Sequence, residues 1–167
     1  MGNAIREIER LYQEKICLFE ELLGIFTHER QAIIRADVSS LWLLSRNKQD
    51  VAAKILDIRE KIMAVAWESG ILCKEDDPDY SMLKIISAIP DAEKTGLTYC
   101  KITLAGLKGK ISSLTKENRR FLDESLKTIA DLVHIITRNC VCDERYSRDN
   151  YLRPAHMNSK IYMVGEA

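Results

Sequence analysis

Three histidines, His28, His134 and His156, and five cysteines, at positions 17, 73, 100, 140 and 142, are the residues of this chain best suited to hold a metal or act as a nucleophile. A di-iron bundle needs Glu-x-x-His on two helices and a further glutamate from each of two others. The sequence offers Asp131-x-x-His134 once, with no second copy, and a helix-surface pair accounts for it. Cys140-x-Cys142, with His156 beyond it, lacks the second ligand pair of a zinc site. Free thiols at a fraying helix end are the simpler reading. Gly106-Leu107-Lys108-Gly109-Lys110 has the residue types of a phosphate loop but lies inside a helical pattern with no strand before it. Arg119-Arg120 is an isolated basic pair, and no strand is expected on which bases could stack. No catalytic constellation, metal set, cofactor or nucleic-acid face is expected, which leaves binding through a surface, a groove or a tail.

The elements that would carry such a surface follow from composition and period. The chain has 167 residues with 25 basic and 25 acidic side chains, so bulk charge draws it neither to nucleic acid nor to an anionic membrane. Seven glycines and three prolines leave few turns, hence long elements. No apolar run reaches the length of a membrane span. Five cysteines at irregular spacing argue against a disulfide framework. The N-terminus has no apolar h-region, and Arg6 stands where a myristoylation signal wants Ser or Thr. These features predict a cytoplasmic protein without membrane insertion.

Apolar residues recur at helical spacing in three long segments, about 3–35, 38–69 and 95–139, with a short helix at about 81–88. The expected fold is all-α: an antiparallel bundle of three long helices over residues 1–140, a short helix in the middle linker, and a flexible tail over 141–167. In the first helix, Ile8 and Leu22 share a row with Lys15 and Glu29. In the second, Leu41, Leu44, Val51, Ile55, Ile58, Ile62 and Val65 form a seam broken only by Lys48. A tight turn near residues 36–38 pairs positions whose numbers sum to 77, which sets Phe26 against Val51, Phe19 against Ile58 and Glu29 against Lys48. A charge facing an apolar layer is costly, whereas a pair is tolerated and selects the register. The competing reading is that both side chains snorkel to solvent.

The order Glu29-x-x-Ala32, Ala36-Asp37, Leu41-x-x-Leu44-x-x-x-Lys48, then Glu117-Asn118-Arg119-Arg120-Phe121-Leu122 on the third long helix and a tyrosine-bearing tail, resembles the FlgN family of flagellar export chaperones. The resemblance covers nearly the whole chain. It implies a chaperone that binds the amphipathic terminal helices of hook-associated (hook-filament junction) proteins and delivers them to the flagellar type III export gate, with the export ATPase complex as a further candidate partner. For the client surface, the third helix offers Leu122, Leu126, Ile129, Val133 and Ile136 in one row, beside Leu107, Leu114, Phe121 and Ile135 in another. One row is expected to face the hairpin and the other a client. The alternatives are that both rows are core, or that the second makes a homodimer, which would describe a coiled-coil adaptor. For the export gate, the resemblance carries over to Tyr146 first and Tyr151 second. The tail departs from the family's pattern in having no glycine within a few residues of Tyr146; its single glycine is Gly165.

Overall fold

The computed structural model describes residues 2–72 and 82–140. Residues 73–81, in the middle linker, and the tail from 141, with Tyr146 and Tyr151, lie outside the described residues. The elements are α1 (Gly2–Ile34), α2 (Val38–Glu68), a short α3 (Met82–Ala88), one 3₁₀ turn (Asp91–Glu93) and α4 (Lys94–Cys140). Among the described residues the protein is all-α. Helix α4, at 47 residues, is the longest element described. By its contacts the chain divides after Asp123 into two units.

In the first unit, α1 and α2 form a hairpin. Its turn is a left-handed helix cap: Ala36 has φ 53°, its N–H bonds to the Ile33 carbonyl and the Asp37 N–H bonds to that of Ala32. This arrangement closes the last carbonyls of α1 and normally uses glycine at the left-handed position. Asp37 then starts α2, its Oδ1 accepting from the Ser40 N–H at 3.0 Å. The C-terminus of α2 repeats the device with the residue type it prefers. Gly70 has φ 70°, its N–H bonds to the Trp67 carbonyl, and the Ile71 N–H bonds to that of Ala66.

The core gathers Ile5, Ile8, Leu11 and Tyr12 of α1, Ile58, Ile62 and Ala66 of α2, Ile85 of α3, and Leu97, Cys100 and Leu104 of α4. The short α3 thus fills the end of the hairpin where α2 finishes and α4 begins. Helix α4 runs parallel to α1 at a constant offset. Arg30 and Glu117, 87 positions apart, are joined by a 2.6 Å ion pair. Gly96 and Glu9 stand at the same separation, and the missing Gly96 side chain leaves room for the Glu9 carboxylate. The direction of travel is therefore up, down and up for α1, α2 and α4. At this offset Ile34, the last residue of α1, stands level with Phe121.

Among the described residues Lys15 is the one charged residue that is buried, 8 % exposed. It occupies a core row of α1, and burial pushes its ammonium down to about 8, with the nearby Lys108 and Arg59 adding to the effect.

The second unit begins at Glu124. Its described part is the continuation of α4, and from Leu126 to Arg138 every residue is exposed.

Candidate partner-binding surface

Two features of α4 stand out: a polar layer that fixes the helix to the hairpin, and the exposed apolar strip that follows it. The polar layer is built by three helices. Lys48 of α2 donates to Glu29 Oε1 of α1 at 2.5 Å, and its Nζ stands 5.0 Å from the centre of the Phe26 ring. Asn118 of α4, 4 % exposed, donates through Nδ2 to the Phe26 carbonyl at 3.0 Å and to Glu29 Oε2 at 3.2 Å. Glu29 therefore accepts from a different helix on each carboxylate oxygen. Both charged side chains are largely shielded, 24 % exposed for Lys48 and 14 % for Glu29. Each takes part in a hydrogen bond, as burial requires. The Asn118 Oδ1 is buried without a partner among the described residues.

Sequence reasoning sets Glu29 against Lys48 but leaves Asn118 as a lone polar residue in the third seam. Its partners could not be read because the offset between α1 and α4 is fixed across a linker of about 25 residues rather than by a tight turn.

Beyond this layer the helix changes character. Leu104 and Leu107 are buried, Leu114 and Leu122 are half-buried, and Leu126, Ile129, Val133 and Ile136 are 53 to 61 % exposed. Of the neighbouring row, Phe121 is 44 % and Ile135 55 % exposed. The division expected from the pattern, one row to the hairpin and one to solvent, does not continue past Leu122: from there both rows are exposed. Asp131 and His134 also lie on this exposed stretch, and no three metal-type ligands converge among the described residues. No helix of the structure is long and apolar enough to cross a membrane.

A second exposed apolar group was not anticipated. Ile34, Val38, Trp42 and Leu43 at the hairpin turn are 61 to 76 % exposed, beside a shallow groove of about 520 Å³ lined by Trp42, Leu43, Ser45, Arg46 and Gln49. Leu41 and Leu44 carry the seam there, and the apolar residues between them signal nothing by period. Of the two thiols described, Cys17 is exposed and Cys100 buried. Burial, with the carboxylate of Glu9 nearby, pushes the Cys100 thiol above its ordinary range.

Compared with known proteins, residues 1–154 match a family model described as FlgN protein. The matched stretch takes in the hairpin, the polar layer, the exposed strip, Tyr146 and Tyr151. No curated protein and no solved structure matches the chain.

Proposed function

Because the chain belongs to the FlgN family of flagellar type III export chaperones, we propose that it binds the amphipathic terminal helices of hook-associated proteins through the C-terminal part of α4. The observation that carries this reading is the exposed run Leu126, Ile129, Val133 and Ile136, entered through the half-buried Leu122. Leucine, isoleucine and valine left in water at every turn of a helix are a standing source of affinity, because each gains on being covered. An amphipathic client helix laid along the run supplies the missing face, and its own apolar side is hidden from self-association until export. Delivery to the export gate belongs to the same proposal, with Tyr146 and Tyr151 as the residues that dock there and the export ATPase complex as a further partner. Tyrosine suits such docking: it offers a large amphipathic contact for few frozen rotors.

Light scattering on a size-exclusion column tests the reading, with the protein alone and with a hook-associated protein. The expected result is a defined complex, lost when the client's terminal helices are deleted and weakened by Leu126→Ser or Ile129→Ser. A tight homodimer that persists on dilution and ignores the client would instead assign the strip to self-association and make the protein a coiled-coil adaptor.

A further inference from the structure

The buried ammonium of Lys15, 8 % exposed, interrupts the core without joining a polar layer of the kind that holds Lys48. None of the charges that act on it is a carboxylate. They are Lys108 of α4 and Arg59 of α2, both of its own sign. A buried charge without a counter-charge is an arrangement that folding alone disfavours.

The helix register brings the three cations to one level. At the pairing of α1 with α2 fixed by Glu29 and Lys48, Arg59 stands opposite Leu18. At the offset between α1 and α4 fixed by Arg30 and Glu117, Lys108 stands level with Glu21. The Lys108 Nζ lies 5.7 Å from the centre of the Phe19 ring, one helical turn from Lys15. Each long helix thus contributes one cation, and the cluster grades from the interior to the surface: Lys15 buried, Arg59 half-buried, Lys108 exposed.

Nothing on this part of α4 offsets the charge. From Lys94 to Lys116 the helix carries five lysines and no aspartate or glutamate, in a chain whose charges otherwise balance. Lys94 is paired with Asp91 at 2.6 Å, whereas Lys108 is in no ion pair among the described residues. Lys108 belongs to Gly106-Leu107-Lys108-Gly109-Lys110, which has the residue types of a phosphate loop. Its backbone is helical, so its N–H groups are spent within the helix. An anion at this level is held by side chains.

We infer that Lys15, Arg59 and Lys108 form a binding site for a multivalent oxyanion of the phosphate class, at the junction of the three long helices. A single carboxylate matches one cation. A phosphate group carries more charge, on oxygens that face several directions at once, and suits donors converging from three helices. Arginine binds such a group through its planar fork and lysine as a point charge. Inorganic phosphates and the phosphate groups of a nucleotide present this same chemistry. The site is separate from the exposed strip of α4 and does not depend on the chaperone reading.

Calorimetry on the full chain tests this, with pyrophosphate or ATP titrated in magnesium-free buffer against a chloride blank of equal ionic strength. Saturable binding of one equivalent is expected. Lys15→Met and Lys108→Met should each weaken it at least tenfold. Lys110→Met, on the opposite side of α4, should leave it unchanged. The ligand should also raise the thermal midpoint of the unsubstituted protein, and Lys15→Met should abolish that rise while remaining folded. Equal affinity for pyrophosphate and ATP assigns the site to the phosphate group alone, and binding of ATP only assigns it to a nucleotide. The inference is overturned if neither anion binds beyond the blank, or if Lys15→Met binds as tightly as the unsubstituted protein. It is also overturned if Lys110→Met weakens binding as much as Lys108→Met, which would mark a diffuse response to net charge. Binding that emerges only after Glu75→Gln, Asp76→Asn, Asp77→Asn and Asp79→Asn would overturn it too, by making the linker's own carboxylates the anion that the cluster holds.

Discussion

Lys15 and the trio of Glu29, Lys48 and Asn118 are the two polar intrusions into otherwise apolar seams, and they have opposite energetics. Lys15 is buried beside like charges, and its folded-state value near 8 lies below the unfolded lysine range of about 10.4. Between those values the unfolded chain binds more protons, so stability rises as pH climbs from about 8 toward 10, and below 8 the penalty is fully present. Lys15→Met is expected to flatten that rise and to raise stability at pH 7 by about 1–3 kcal/mol, measured as urea midpoints across the pH series. Lys48→Met does the reverse. It removes a donor from Glu29 in a shielded site and is expected to cost about 1–3 kcal/mol. Adding Glu29→Gln should recover part of the loss, because the orphaned charge rather than the absent pair is the larger cost. A double-mutant cycle at fixed pH checks this, and equal losses in all three variants would mean the pair acts independently of the layer. At this scale the sequence places Lys15 on a core row and Lys48 in a seam. Their contrasting environments depend on which charges the third helix brings, and that is not written in either helix alone.

Both ends of α2 stand next to a left-handed residue, which makes the hairpin its own control. Ala36 bears the conformation at a cost that glycine escapes, while Gly70 already escapes it. Ala36→Gly is expected to stabilise the protein by about 0.5–1 kcal/mol and Gly70→Ala to destabilise it by about 1 kcal/mol, read as shifts in thermal midpoint. Equal shifts of one sign would show that the surroundings, not the backbone angle, set the energies. Glycine at position 70 announces the end of α2 to anyone reading the chain, and Asp37 announces its beginning. Ala36 announces nothing, because alanine is the best helix former and gives no hint of a left-handed turn. The register of α1 on α2 is legible because a short turn ties the two period patterns together. The placement of α4 is not, since a linker of about 25 residues permits many offsets and only the contacts of Asn118 and Glu117 with α1 select one.

Among the described residues, those up to Asp123 form a packed body, and every residue from Leu126 to Arg138 is exposed. Helices isolated in water are marginal at this length, so the described residues after Asp123 should open far more readily than the body. Native-state hydrogen exchange is expected to show amides of residues 124–138 exchanging at least tenfold faster than those of 97–118, and adding a client should slow the fast set. Protection already equal in the free protein would mean that the segment is covered before any client arrives. The exposed strip was legible as an apolar period, but its being uncovered was not, because the same spacing describes a core helix. This division also sets how the protein tolerates change. In the body, side chains interlock, so two substitutions such as Leu104→Val and Ile8→Val share neighbours and their effects will not simply add. Along the strip the apolar side chains are all more than half exposed. Exchanges among leucine, isoleucine, valine and methionine there should act on the free protein as independent, nearly silent changes. A chaperone built this way can be retuned one residue at a time, with the folded body left out of the bargain.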